Sequence, residues 1–250
     1  MTSLSALVVV HDEAAQLADC LDRLAFADEI VVVLDRCSDG SREIARRYTE
    51  HLLEGAWEIE GHRRNAGIAA CSGDWLFEVD ADERVSLALA EEIRAVIEGA
   101  APGYFLLPYD NYIGQTLVRY GWGASWGVSA TARLFSRGAK SWGDQRIHPK
   151  VTFSGARRWL TTPMEHYVDD DISDMIRRLD RYSTMRARDL RDSGDIGGLA
   201  NNVRRLVSRF IKCYVMRRGY REGGYGFLIA LFAGLYPLLS YLKARYEADS

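Results

Sequence analysis

A doubly wound α/β fold, with a mostly parallel sheet flanked by helices, is what the sequence predicts over residues 1–168, and three observations predict it. Leu4 to Val10 and Ile30 to Leu34 are continuous apolar runs rich in valine, the pattern of strands buried on both faces. Between them Ala14, Leu17, Ala18 and Leu21 recur at helical spacing. A third apolar run, Trp75 to Val79, stops abruptly in Asp80, Asp82 and Glu83. Strands alternating with helices imply parallel pairing through right-handed crossovers.

The remaining elements follow in order. The loop Asp35 to Ser41 is rich in turn and N-cap residues, and it caps a helix over Arg42 to Tyr48. A short strand near Leu52 to Trp57 and a helix over Arg63 to Ala70 lead to the Trp75 strand. Gly103 to Pro108 reads as a strand, and Asp110 to Trp126 as a loop carrying Tyr112, Tyr120, Trp122 and Trp126. Those rings suit either stacking on sugar faces or an ordinary hydrophobic lid. Ala132 to Ser136 is a further strand. Residues 169–250 form a helical appendage. Asp169 to Leu190 has alternating charges at helical spacing, and Ser193 to Gly198 is a linker by composition.

Composition bounds the function. The 250 residues are 48% apolar and 27% charged, with a net charge of -3. Those values are ordinary for a soluble globular chain and argue against a protein devoted to nucleic acid. Cys20, Cys37, Cys71 and Cys213 show no C-x-x-C spacing, so packed reduced thiols in the cytoplasm are expected. The N-terminus lacks the pattern of a secretory signal. No Gly-x-Gly-x-x-Gly follows the first strand, and no Walker-type loop is present.

Parallel strands bring three acid-tipped ends to one edge: Asp12 and Glu13, then Asp35 and Asp39, then Asp80 and Asp82. In open α/β sheets that edge is where ligands bind. Two aspartates one residue apart can share a hard divalent cation through oxygen. The other reading of Glu83 onward is an acidic helix N-terminus favoured by the helix dipole. Arg63 and Arg64 approach the same edge and suit a phosphate, although a solvated helix face accounts equally for one of them.

Four stretches then carry a resemblance: Leu4 to Glu13, Ala27 to Val33, Ser38-Asp39-Gly40-Ser41, and Gly73-Asp74-Trp75 through Asp80 to Arg84. Together they resemble family 2 inverting nucleotide-sugar glycosyltransferases. Within them the chain is most similar to the branch that adds a glucose-type sugar to the heptose of the lipopolysaccharide inner core. The resemblance implies the GT-A fold, a nucleotide-sugar donor expected to be UDP-linked, and Mg²⁺ or Mn²⁺ on Asp80 and Asp82. By position it places Asp35 at the nucleobase and Asp12 or Glu13 at the base or ribose. The residue before Glu13 is often asparagine in such enzymes and is Asp12 here. Pro163 to Tyr167 resembles the segment that supplies a late histidine to the metal, which makes His166 the third ligand. A lone histidine bonded at a strand end is the alternative.

An inverting transfer needs one general base near the acceptor hydroxyl and a cationic partner for the leaving diphosphate. In similar enzymes the base is commonly the Glu of a His-Glu pair. Here His148 is followed by Pro149, so Asp144 becomes the nearest carboxylate and His148 the runner-up, because the unperturbed pKa of a histidine lies close to neutral.

Val203 to Arg221 interleaves Arg204, Arg205, Arg209, Lys212, Arg217, Arg218 and Arg221 with bulky apolar residues, the pattern of a helix in a membrane interface. Gly226 to Leu242 is nearly all apolar but interrupted by Gly234 and Pro237, and it falls short of the roughly 20 residues of a crossing helix. A re-entrant or interfacial hairpin is expected there, with a homodimer interface or helical cap as the alternative. The sequence thus predicts a metal-dependent glycosyltransferase, cytoplasmic and peripheral on the inner face of the cytoplasmic membrane. Its expected acceptor is a glycolipid such as the lipopolysaccharide inner core. The alternatives are transfer to polyprenyl phosphate or another surface polysaccharide, or a catalytically weak sugar-nucleotide-binding protein.

Overall fold

The computed structural model describes residues 1–124, 126–144 and 150–247, which divide into two compact units. The first comprises Met1–Tyr109 with Ala130–His166, the second Asp110–Ser129 with Tyr167–Ser250.

In the first unit, β1 (Leu4–Val10), β2 (Glu29–Asp35), β3 (Leu52–Gly55) and β4 (Trp75–Val79) pair in parallel in the order β3-β2-β1-β4. Helices α1 (Ala14–Asp22), α2 (Ser41–Ala45) and α3 (Glu60–Ala70) make the crossovers. β1 and β4 bury almost every side chain, which explains runs without polar alternation. Two apolar layers flank the sheet. One contains Leu17, Leu21 and Phe77, the other Leu7, Val33, Leu76 and Phe135. Gly67 of α3 lets that helix lie on the sheet, since a Cβ there would stand 2.7 Å from Leu7 and 2.8 Å from Val33.

Beyond β4 the sheet turns antiparallel. The chain forms β5 (Glu83–Arg84), α4 (Leu87–Ile97), β6 (Gly103–Ile113), β7 (Thr116–Val118) and β8 (Ala130–Ser136). β8 pairs antiparallel with both β4 and β6. Glu83 does not begin a helix: it is a strand residue, and α4 starts after Ser86, whose side chain accepts from the Leu89 N–H. β6 runs beyond Pro108 because strict alternation of buried and half-buried residues continues to Ile113. After β9 (Lys140–Trp142), β10 (Val151–Phe153) and β11 (Ala156–Trp159), β12 (Met164–Asp169) pairs with β5 and sets His166 opposite Glu83.

The second unit is built on α5 (Ile172–Asp192), α6 (Leu199–Ile211) and α7 (Gly223–Tyr246). Its core holds Trp122, Trp126, Met175, Leu179, Cys213, Ile229 and Phe232. Trp122 and Trp126 are therefore core residues rather than an exposed sugar platform. The guanidinium of Arg178, paired with Asp169 at 2.7 Å, lies 4.1 Å from the Trp126 ring.

The expected hairpin over Gly226 to Leu242 is instead one unbroken helix, α7. Gly234 does not interrupt it but admits the α6 backbone, since a Cβ there would lie 2.6 Å from the Leu206 carbonyl oxygen. Pro237 removes one ladder hydrogen bond, and packing along both flanks of α7 offsets that loss. By length and composition α7 could cross a membrane, yet half of its most apolar stretch is buried within the unit. Exposed apolar residues lie on all three helices, among them Ile176 and Met185 of α5 and Phe227 of α7, and on α6 and its continuation they form a stripe. Leu199, Val203, Val207, Ile211 and Val215 recur every fourth residue and are each about half exposed.

Candidate functional site

The parallel strands carry their acidic tips to one edge, and the local chemistry begins with an interlock. Asp12 adopts a left-handed φ of 55°, and its carboxylate accepts from the Ser38 N–H at 2.6 Å and the Asp39 N–H at 3.2 Å. Asp39 in turn accepts from the Ala14 N–H at 2.8 Å, and the Glu13 N–H donates to Ser41 Oγ at 3.0 Å. The Ser38 N–H holds the Asp12 carboxyl below its usual range. Among the described residues, ligand-type atoms of Asp12, Cys37 and Asp39 lie within 4.8 Å of one another. Burial pushes the Cys37 thiol up, and Asp12 Oδ1 is occupied by two backbone donors, so this cluster is a clamp joining two loops.

Asp35 is fully buried at the end of β2. Its oxygens accept from Arg36 Nε at 3.0 Å and Nη2 at 2.9 Å, Trp57 N at 3.1 Å and Arg63 Nη1 at 2.9 Å. Burial alone would raise its pKa, but these donors carry it below the usual carboxylate range. Four donors match the capacity of one carboxylate, and they fix Arg36 and Arg63 along the edge.

At the tip of β4, Asp80 is gripped by two arginines. Arg64 Nη1 lies 3.0 Å from Oδ1, and Arg133 Nη2 bonds Oδ2 at short range. The same Arg133 nitrogen meets Glu83 Oε1 at 2.5 Å, and its Nε donates to Tyr109 Oη at 2.8 Å. Tyr109 closes the ring by donating to Glu83 Oε1 at 2.8 Å. Burial opposes ionisation of both carboxyls, yet the two guanidiniums hold Asp80 far below its ordinary pKa, whereas Glu83 stays raised. Arg64 Nε is buried without a hydrogen-bond acceptor, while Nη1 keeps its ion pair with Asp80. Nε is a donor available to an anionic oxygen.

Asp82 and His166 come together beside that ring, the imidazole 5.3 Å from the Tyr109 ring centre. β12 pairing on β5 brings His166 Nε2 to 3.4 Å from Asp82 Oδ2. Burial would lower the imidazole's pKa, but the hydrogen bond and charge of Asp82 raise it above its usual value. Two ligands on one small octahedral cation lie roughly 3 Å apart, and carboxylate oxygen with imidazole nitrogen suits Mn²⁺ or Mg²⁺. The pair fits such an ion. Asp80, the third expected ligand, faces its arginines.

The two candidate bases fare differently. Asp144 is exposed, with Oδ1 3.0 Å from His62 Nε2. His148 lies outside the described residues.

Behind Asp80 stands a buried ion pair, Lys140 with Glu78. Lys140 Nζ bonds Glu78 at short range and the Ala132 carbonyl at 3.1 Å, and both side chains are almost wholly buried. Trp142 receives the Lys140 ammonium at 4.9 Å and the Arg64 guanidinium at 5.4 Å from its ring centre. Arg133, Tyr109 and Lys140 escaped sequence reasoning. The one available hint was a charged residue within each of the apolar stretches Ala132 to Ser136 and Ala139 to Trp142.

Residues 5–123 match the family Glycosyl transferase family 2. A lipopolysaccharide core biosynthesis glycosyltransferase, LpsC of Rhizobium meliloti (strain 1021), is 24% identical over 98% of this chain and 96% of its own length. Among solved structures, the mannosyltransferase PcManGT from Pyrobaculum calidifontis, in complex with GDP-Man and Mn²⁺, is similar with a TM-score of 0.55 at 15% identity. That match covers 99% of this chain and 88% of the other. S. aureus TarS in complex with UDP gives 0.50 at 12% identity, covering 97% and 90%. Residues 5–123 thus match the model of glycosyltransferase family 2, and the chain has the GT-A fold.

Proposed function

We propose that the protein transfers a glucose-type sugar, with inversion, from a UDP-sugar to a glycolipid of the lipopolysaccharide inner-core class. The observation that carries this reading is the strand edge itself. Asp82 and His166 form a two-ligand set beside Asp80, and the unsatisfied Nε–H of buried Arg64 is available to a diphosphate. The full-length relative in lipopolysaccharide core biosynthesis supports the acceptor class, and the UDP and Mn²⁺ complexes of the structural neighbours support the donor and the ion.

In the proposed reaction the acceptor oxygen attacks the anomeric carbon as the bond to the diphosphate oxygen breaks. Bound to Asp82 and His166, with Asp80 alongside, Mg²⁺ or Mn²⁺ would supply positive charge to the leaving diphosphate. Arg64 binds and orients the diphosphate, and the loops clamped by Asp12, Glu13 and Asp39 hold the nucleoside. Asp35 acts on that nucleoside through the Arg36 and Arg63 it anchors. Asp144, within reach of His62, receives the acceptor proton.

Residues 1–168 form the donor-binding region in this proposal, and residues 169–250 the membrane-surface region. Val203, Val207, Ile211 and Val215 are exposed aliphatic residues flanked by Arg204, Arg205 and Lys212. Burying a half-exposed aliphatic side chain in the acyl boundary returns on the order of 1 kcal/mol. Each basic neighbour adds about 1 kcal/mol over an anionic leaflet. A second copy of the chain is the competing occupant, and sedimentation of the purified protein without lipid separates the two.

The direct assay is UDP release with UDP-glucose, Mn²⁺ and a lipid-A-core acceptor. Asp82→Ala is expected to abolish turnover while leaving the fold intact by circular dichroism. Full activity in that variant overturns the metal assignment. Donor binding without product, unchanged by Asp144→Asn, would instead favour a sugar-nucleotide-binding protein.

A further inference from the structure

The second unit contains a pocket of about 310 Å³ in which three irregular backbone segments meet. The continuation of α6 is a π-helical turn, Lys212–Met216, which re-aims the chain at its end. Arg218 follows with a left-handed φ of 60°, a conformation costly for a residue with a Cβ. Opposite, Gly121 and Gly123 have φ of 93° and 122°. At Gly123 a Cβ would collide with the Arg217 guanidinium, so this glycine is the seat of that side chain. Strain of this kind clusters where a site is being shaped.

The chemistry of the walls is one-sided. Arg119, Arg217 and Arg218 line the pocket with Trp122, Ser129 and Met216, and among the described residues no carboxylate lines it. Arg217 Nη1 donates to the Trp122 carbonyl at 2.9 Å and is thereby fixed. Arg119 has a carboxylate only at 3.8 Å, from Asp110, and is well exposed. Glu222 Oε1 accepts the backbone N–H groups of Arg119 and Tyr120 at 3.0 Å each. Among the described residues no ion pair involves Arg218. Three arginines line the pocket, with the Arg217 guanidinium fixed by the Trp122 carbonyl, and a phosphate ester has enough oxygens to engage more than one fork.

Met216 also decides what carries the phosphate. It is a wall of the pocket, and with Val215 it ends the exposed stripe that begins at Leu199. A ligand seated here would have its charged head among arginines and its tail along aliphatic side chains. We propose that this pocket binds the phosphate of a membrane lipid headgroup. Its lipid-tail component rests on the membrane-surface reading of residues 169–250, whereas the phosphate component stands on the pocket alone.

The test uses the full-length protein and two probes. Dihexanoyl phosphatidic acid below its micelle concentration, titrated by calorimetry, reads the pocket without a bilayer. Co-sedimentation reads the membrane, with vesicles of phosphatidylcholine alone, with phosphatidylglycerol, or with a phosphorylated lipid A. Arg218→Gln is expected to weaken phosphatidic acid binding about tenfold, the worth of one charge-assisted hydrogen-bonded contact. Arg218→Lys is expected to lose nearly as much, because a lysine keeps the charge but not the fork. Arg204→Gln, outside the pocket, is expected to leave calorimetric binding unchanged and to cost at most about fivefold on vesicles. A wild-type gain with lipid A alone identifies the acceptor's own phosphate as the source, and an equal gain with phosphatidylglycerol identifies bulk lipid. Binding of the soluble probe without vesicle binding retains the pocket and overturns the membrane reading. No calorimetric binding in the wild type, or Arg218→Lys behaving as wild type, overturns the proposal.

Discussion

At the residue scale, the site depends on charges taken out of water and then matched. Lys140 and Glu78 are the clearest case, since burial pulls the ammonium's pKa down and only the carboxylate opposes it. Lys140→Met is therefore expected to cost about 3–5 kcal/mol in urea unfolding, because Glu78 is left buried and unpaired. The double variant Glu78→Gln/Lys140→Met should recover more than half of that loss; an equal loss in both would show that the packing of Lys140, not its charge, matters. None of this could be read along the chain. Lys140 lies 62 residues from Glu78, and Arg133 lies 53 from Asp80 and 24 from Tyr109. Asp80 and Asp82 were visible because their spacing is local. The ring that neutralises Asp80 is a product of β8 folding back beside β4.

At the element scale, the apolar runs that read as β1, β2 and β4 are the strands that form the parallel half of the sheet. Their shortness, and in β1 and β2 their valine content, favours strand over buried helix. Element ends and interruptions were less legible. Glu83–Arg84 is too short to announce itself and becomes a strand only because β12 supplies a partner. Gly234 and Pro237 look like breakers in isolation, yet α7 runs through both. Gly234 is explained by its neighbour, the α6 backbone at Leu206. Gly234→Val is expected to force α6 and α7 apart and lower stability by about 1–3 kcal/mol, the usual cost of overpacking. Thermal unfolding followed by circular dichroism measures it, and an unchanged midpoint would remove the close-approach account.

At the scale of the whole molecule, acidity is the coordinate that ties folding to the proposed site. Asp12, Asp28, Asp35 and Asp80 all have folded pKa values below their unfolded ones. Their stabilisation is present above about pH 4 and is lost as pH falls through the folded values. His166 runs the other way. Its raised pKa gives stabilisation that is complete below about pH 6.5 and fades as pH rises through the folded value. A metal must displace that proton, so apparent Mn²⁺ affinity is expected to fall on acidification below neutrality. His166→Ala should flatten the profile; an equally steep profile in that variant would assign the titration elsewhere.

The grip of Arg64 and Arg133 on Asp80 has a consequence for the order of events. Two guanidiniums already answer the charges of Asp80 and Glu83, so a bare cation approaching β4 meets little uncompensated negative charge beyond Asp82. The diphosphate would draw Arg64 toward its own oxygens and free Asp80 for the ion. Cation and nucleotide are thus expected to arrive as one species, with each raising the other's affinity by the same factor. Titrating Mn²⁺ with and without UDP measures that factor, and a ratio of one would mean that Asp80 is released by something other than the donor.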